Sequence, residues 1–141
     1  MSVFVRPAAL ADIRQMAEIA GAPVTPKSLA DWMDGDSAYA AWHLVETEQG
    51  RVLGLQQIGR SETLPDDACE IATFFGQVSL PAGAAGDLFD ATARAARLLR
   101  YTWVSAAVAR QNEAARTYYQ SQGFRRYGDT DARILMRFDL D

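Results

Sequence analysis

The last third of the chain alternates between strand and helix signals, and this alternation is what most constrains the fold. Residues 101–109, YTWVSAAVA, form an apolar run of strand length. The next segment, NEAARTYYQSQGF, has helical spacing and ends at Gly123. Strand signals return over residues 124–127 and 133–140. A buried strand that leads into a helix and then into further strands predicts an α/β fold.

The first two thirds of the chain supply the remaining elements. Strands are predicted over residues 3–6, 39–48, 51–60 and 70–80, and Gly76 is a candidate bulge site. Helices are predicted from Leu10 to Ala20, from Pro26 to Asp34 with Gly35 past the end, and after Pro81. The order β-α-α-β-β-β-α-β-α-β-β predicts one domain over residues 1–141. It would be a mixed sheet of six to seven strands with helices on both faces.

Composition narrows the classes of function. The net charge of −4 argues against nucleic-acid binding, because a broad electropositive surface is missing. No apolar run approaches the roughly 18 residues of a membrane span, and the N-terminus carries no export signal, so a cytoplasmic protein is expected. One cysteine, Cys69, and one histidine, His43, offer no Cys/His cluster for a metal. Cys69 is therefore expected to be a small buried residue.

The helix that begins after Asn112 supports two interpretations. Asn112, Ala115 and Tyr119 are three and then four residues apart, so they share one helical face, whereas Tyr118 is expected to point elsewhere. In the structural interpretation, Asn112 caps the helix, Tyr119 packs in the core and Gly123 ends the helix. In the functional interpretation, the same face holds a ligand.

The full pattern, N-x-x-A-x-x-x-Y-x-x-x-G-F, is matched at every position from Asn112 to Phe124. It resembles the GNAT superfamily of acyl-CoA-dependent N-acetyltransferases, and VRPA, GRVLG and ILMRFDL fit other landmarks of that family. The resemblance implies acetyl-CoA as cosubstrate and an amine as acceptor, joined by direct attack in a ternary complex. It also implies that Asn112 contacts the coenzyme A arm and that Tyr119 protonates the leaving thiolate.

Two further segments are assigned to the cofactor. A glycine-rich turn before a helix can bind a pyrophosphate, and the backbone amides of residues 83–87 would do so here. These residues are Gly83, Ala84, Ala85, Gly86 and Asp87. The loop departs from the family pattern, since Pro81 stands where Arg or Gln belongs and Ala84 replaces the middle glycine. The resemblance also implies that the pantetheine arm pairs with the end of the preceding strand, at Gln77, Val78 and Leu80.

The sequence supports more than one assignment of the general base and does not specify the amine acceptor. Glu70 lies sixteen positions before Gly86, a spacing that resembles the histone-acetyltransferase branch of the family. An exposed strand-end glutamate is the alternative, with proton loss through water near His43, Asp66 or Asp67. A non-catalytic acyl-CoA-binding module is the rival function, and a partner-binding scaffold is a third. A homodimer is also expected, because the C-terminal strands would leave a sheet edge that can pair with a second copy of the chain.

Overall fold

A computed structural model describes residues 2–35 and 37–141 of the chain. The strands are β1 (Val3–Pro7), β2 (Ala41–Thr47), β3 (Val52–Gly59), β4 (Ala68–Phe75), β5 (Trp103–Ala109), β6 (Arg125–Asp129) and β7 (Arg133–Asp139). The α-helices are α1 (Ile13–Ala20), α2 (Pro26–Asp34), α3 (Ala84–Leu98) and α4 (Glu113–Gln122). This confirms the order of elements predicted from the sequence.

The strands form one seven-stranded sheet in the order β1-β2-β3-β4-β5-β7-β6. Neighbouring strands run antiparallel except for β4 and β5, which are parallel. Helix α3 forms the connection between these two strands, as a parallel crossover requires. The single parallel pair therefore lies at the centre of the sheet.

The two faces of the sheet carry separate hydrophobic cores. Helices α1 and α2 cover one face, where Met16, Leu29 and Leu55 are fully or almost fully buried. Helices α3 and α4 cover the other face, where Phe89 and Tyr119 pack with strand residues such as Ile58. Side chains of one strand point alternately to the two faces, which is how β3 contributes to both cores.

Sequence signals set the ends of the helices. Thr25 accepts a hydrogen bond from the Ser28 amide, and Pro26 occupies the first turn of α2. Asn112 caps α4 by accepting from the Ala115 amide at 3.1 Å. Gly123 ends α4 with φ of 106°, a conformation that glycine adopts with little strain.

Three local predictions were wrong. The strand predicted over residues 70–80 covers Ala68–Phe75, because the chain leaves the sheet at Gly76. Gly76 is not a bulge; an irregularity lies instead in β3, where Leu53 is the extra residue between the pairs Val45–Gly54 and Glu46–Val52. The helix predicted from Leu10 begins at Ile13 instead; Leu10 precedes it in a short 3-10 turn and is 70% exposed.

Within the described residues, no helix is long and apolar enough to cross a lipid bilayer.

Candidate active site

Strands β4 and β5 separate soon after they meet. Their pairing comprises Ala68–Trp103, Cys69–Val104 and Glu70–Ser105, and it stops there. β4 continues to Phe75 beside β3, while β5 continues to Ala109 beside β7. A gap therefore opens in the middle of the sheet beyond Glu70.

The edge of β4 that faces this gap carries free backbone groups. The Asp67 carbonyl accepts from Thr102 at the start of β5, whereas the Gly76 amide donates to Leu53 on β3. Successive residues of a strand direct their backbone groups to opposite sides. Odd-numbered residues of β4 thus face β5, and beyond the last pair these include Thr73 and Phe75. An extended ligand could pair with this edge as an added strand.

A cavity of about 210 Å³ lies against this edge of β4 and against α4 from its N-cap to Tyr119. Tyr119, Asn112 and Ala115 line it together, as the spacing predicted. Asn112 also caps α4 with its Oδ1 atom, so the structural interpretation of that atom is confirmed as well. The complete lining is Thr73, Phe75, Asn112, Ala114, Ala115, Tyr118 and Tyr119.

The expectation that Tyr118 points elsewhere was wrong, because it lines the same cavity as Tyr119. Its ring packs edge-on against Phe75, with ring centroids 5.2 Å apart. Its hydroxyl donates to the Ala85 carbonyl at 2.9 Å and accepts from Gln56 Nε2 at 2.9 Å. Tyr119 instead makes its hydroxyl contact with Thr73 Oγ1, at 2.8 Å. The two adjacent tyrosines therefore differ in what their hydroxyl groups bind.

Burial favours the neutral form of both tyrosines. It raises the pKa of Tyr119 to about 12; the hydrogen bond with Thr73 acts in the opposite direction, and the Glu70 carboxylate raises the pKa again. The pKa of Tyr118 is also raised, mainly by burial. A neutral phenol in a cavity is a proton donor at physiological pH. The chemistry available here is general-acid catalysis.

The predicted pyrophosphate loop ends in the first turn of α3. Gly83 is the helix N-cap, with φ of 85°, and the Ala84 amide donates to the Pro81 carbonyl. The Asp87 amide donates to the Gly83 carbonyl, so the prediction that all amides of residues 83–87 are available was wrong for Ala84 and Asp87. No described group accepts from the amides of Ala85 and Gly86. A Cβ atom at Gly86 would meet only Gln122 Oε1, at 3.8 Å, so the space beside this turn is open.

The other residues predicted to bind the cofactor surround this turn. Asp87 is exposed in the first turn of α3. Gln77 is exposed in the segment between β4 and α3, whereas Val78 and Leu80 pack against the core formed by Val45, Leu53 and Ala84. All three lie outside β4, so the strand pairing expected of them would fall on Thr73 and Phe75. Their role in binding a cofactor stays a prediction.

Glu70 lies in a second cavity, of about 270 Å³, which it shares with Trp32, Gln57 and Arg60. It pairs with Ser105 at the last rung before β4 and β5 separate. Glu70 and Tyr119 thus flank the gap from different cavities. Of the alternative bases, Asp67 accepts a hydrogen bond from the Thr102 hydroxyl, and burial lowers the pKa of His43.

Other expectations concern residues away from these cavities. Cys69 is fully buried, and burial raises the pKa of its thiol to about 12, which confirms a packing residue.

Sequence reasoning missed Gln56 and Thr73, which connect the two tyrosines by hydrogen bonds. Gln56 is completely buried, and an uncharged polar residue in an apolar strand was the only signal for it.

No protein-family model matches the chain, and no curated protein matches it by sequence. Solved structures do match it. An N-acetyltransferase from Staphylococcus aureus Mu50 has a TM-score of 0.84 and 19% identity, with 100% of both chains covered. A GNAT phosphinothricin acetyltransferase from Sinorhizobium meliloti, solved with acetyl-CoA, has a TM-score of 0.83 and 16% identity; the match covers 99% of this chain and 89% of that one. The PaiA N-acetyltransferase from Thermoplasma acidophilum, solved with coenzyme A, has a TM-score of 0.82 and 11% identity, with 99% of both chains covered.

Proposed function

We propose that this chain, which has the fold of the GNAT N-acetyltransferases, transfers the acetyl group of acetyl-CoA to an amine. The observation that carries the proposal is the gap between β4 and β5, with a cavity beside it lined by Tyr119 and Asn112. A thioester held in that gap would lie between a free strand edge and a buried phenol. The acetyl-CoA and coenzyme A in the structural relatives support the same cosubstrate here.

The residues present fit an acyl-CoA ligand. The backbone groups of Thr73 and Phe75 would pair with the amides of the pantetheine arm. The free amides of Ala85 and Gly86, at the positive end of the α3 dipole, would bind the pyrophosphate. Asn112 would donate from its Nδ2 atom, since its Oδ1 atom caps α4. Gln77, Val78, Leu80 and Gly83 would make further contacts, mainly through the backbone. Ala84 and Asp87 would contribute through atoms other than their amides, which donate to Pro81 and Gly83.

The acceptor would enter from the cavity that contains Glu70. The neutral amine attacks the acetyl carbon directly, and Glu70 takes up the proton that the nitrogen loses. Tyr119 protonates the sulfur as the C–S bond breaks. A cavity of about 270 Å³ favours a small amine or an amino acid over a folded protein segment.

One observation favours the rival function, a non-catalytic acyl-CoA-binding module. The Ala84 amide is already bonded to Pro81, and Pro81 itself has no amide hydrogen to donate. The turn therefore offers fewer donors than a loop of several glycines would. Weak binding of acetyl-CoA would follow from this loop.

Calorimetry and a thiol-release assay separate the two functions. Wild-type protein is titrated with acetyl-CoA, and then assayed with the free amino acids, spermidine and a lysine-containing peptide as acceptors. Binding with turnover on any of these amines supports the enzyme. Binding without turnover supports the module, and no binding at millimolar acetyl-CoA refutes both. The variant Asn112→Ser keeps a helix-capping oxygen but removes the amide donor, so it should weaken binding without unfolding α4.

A further inference from the structure

A chain of partly buried hydrogen bonds joins the centre of the sheet to the two cavity tyrosines. Gln56 lies in β3, on the face covered by α3 and α4, and is 0% exposed. Its Nε2 atom donates to Thr73 Oγ1 at 3.1 Å and to the Tyr118 hydroxyl at 2.9 Å. Thr73, directly opposite Gln56 on β4, contacts the Tyr119 hydroxyl at 2.8 Å.

The direction of each proton in this chain follows from what each atom can donate. The Ala85 carbonyl can only accept, so it takes the single proton of Tyr118. Both protons of the Gln56 amide are used, on Thr73 and on Tyr118. Thr73 therefore accepts from Gln56. The Tyr119 oxygen is the only acceptor for the Thr73 proton among the described residues.

The reverse orientation of the Gln56 amide satisfies fewer groups. It would leave two N–H donors without acceptors, and Tyr118 would have one proton for two acceptors. Among the described residues, the observed orientation leaves the Gln56 Oε1 atom without a partner and the Tyr119 proton, at the cavity, without an acceptor. Buried donors and acceptors without partners are costly, so the observed direction is the favoured one.

We propose that Gln56 is a positioning residue. Because Gln56 donates to Thr73, the Thr73 proton is directed to the Tyr119 oxygen, and the Tyr119 proton is left free to face the cavity. This inference rests on the proposed acetyl transfer and goes one step further. Because Thr73 donates to the Tyr119 oxygen, the Tyr119 proton has no acceptor within the described chain. The neighbouring Tyr118 is different, since its proton is held by Ala85. The same network thus selects one of two adjacent tyrosines as the acid.

The step that this arrangement serves is the departure of the thiolate. The amine nitrogen has formed a bond to the acetyl carbon, and its proton has passed to Glu70 or to water. The C–S bond then breaks, and its electron pair moves to sulfur, which takes the proton of Tyr119. The phenolate that remains is stabilised by the hydrogen bond from Thr73 until it regains a proton from solvent. A hydroxyl that accepts one hydrogen bond donates a stronger one, so Gln56 strengthens the donation by Thr73.

The test is a double-mutant cycle on Gln56→Met and Tyr119→Phe. Methionine keeps the length of glutamine and removes its donors. Thr73→Val breaks the same link from the other end, so the test does not depend on one variant folding. Thr73→Ser retains the hydroxyl. Thr92→Val is the matched control, because Thr92 is a buried threonine whose hydroxyl, among residues 2–35 and 37–141, bonds only to the Leu88 carbonyl in α3.

The readouts are kcat and KM for acetyl-CoA, followed by thiol release with the amine from the panel above that the wild type acetylates fastest. We expect Gln56→Met and Thr73→Val to lower kcat about tenfold, a fraction of what a general acid contributes, with KM within about twofold. Thr73→Ser and Thr92→Val should keep at least about half of the wild-type kcat. In the Tyr119→Phe background, Gln56→Met should have no further effect, because it acts through Tyr119.

Two results would overturn the inference, and they are distinguishable. If Gln56→Met lowers kcat by the same factor with and without Tyr119, Gln56 acts on stability or binding and the inference alone fails. If the wild type releases no thiol with any amine, the proposed function fails and takes this inference with it.

Discussion

Replacing Gly86 with alanine should stabilise the chain and weaken the binding of acetyl-CoA. Gly86 lies in the first turn of α3, and a Cβ atom there would meet only Gln122 Oε1, at 3.8 Å. Alanine in a helix is favoured over glycine by about 0.5–1 kcal/mol, because it loses less conformational freedom on folding. Taking the lower end for a first turn, the midpoint of thermal unfolding should rise by about 2 °C.

The same methyl group would occupy the space beside the free amides of Ala85 and Gly86. A pyrophosphate bonded to those amides needs this space. We expect acetyl-CoA to bind Gly86→Ala about tenfold more weakly, which corresponds to about 1.4 kcal/mol. The opposite signs for stability and binding are the distinctive part of the prediction, since a damaged fold would lower both.

Gly83→Ala is the matched control, three residues earlier. Gly83 has φ of 85°, where a side chain costs about 1–2 kcal/mol, so this variant should be less stable than the wild type. Thermal unfolding without ligand and calorimetry with acetyl-CoA measure both effects. A lower unfolding midpoint for Gly86→Ala would show that the space is not open. Unchanged affinity would show that no ligand approaches this turn.

The remaining predictions concern the acid, the loop charge and the response to pH. Tyr119→Phe should lower kcat about 100-fold with little change in KM for acetyl-CoA, whereas Tyr118→Phe should lower kcat less than about tenfold; steady-state kinetics compares them. Asp87→Asn removes a carboxylate from the N-terminal turn of α3, the proposed pyrophosphate site, so calorimetry should find tighter acetyl-CoA binding at low salt and a smaller gain at high salt. Because burial raises the pKa of the Cys69 thiol from 9.0 to about 12, the unfolded chain loses this proton first. The free energy of unfolding should therefore fall as pH rises from 9.0 towards about 12. This decrease should be smaller for Cys69→Ala, and urea unfolding at each pH measures it. Arg6 lowers the pKa of Asp12 below its ordinary value of 3.8, so Asp12→Asn should cost about 1–3 kcal/mol at neutral pH and progressively less as acid protonates the wild-type carboxyl.

The sequence predicted the fold well where local signals agree with tertiary packing. The apolar run before Asn112, the cap at Asn112 and the stop at Gly123 all specify one strand and one helix, and both form as expected. The end of β4 was not predictable in this way. Residues after Gly76 are as apolar as a strand, but Val78 and Leu80 pack beneath α3 instead of pairing in the sheet.

The site was predictable only where residues share one helix. Asn112, Ala115 and Tyr119 line one cavity because a single periodicity places them together. The partners of Tyr119 come from other elements: Thr73 lies 46 positions away in the chain, and Gln56 reaches it from the neighbouring strand. Such contacts depend on strand register, which a single sequence does not specify. The predicted homodimer and the role of Glu70 as a base stay predictions.

The short junction between β4 and β5 also has a mechanical consequence. Within the part of the chain that the structure describes, only three strand-paired residue pairs join the half of the sheet formed by β1–β4 to the half formed by β5, β7 and β6. Amide protons at this seam should exchange with solvent through small opening motions that leave the rest of each half intact. A ligand lying along the gap would bridge the two halves and slow that exchange. If acetyl-CoA binds as proposed, the gap is both its binding site and a junction whose amide exchange reports its presence.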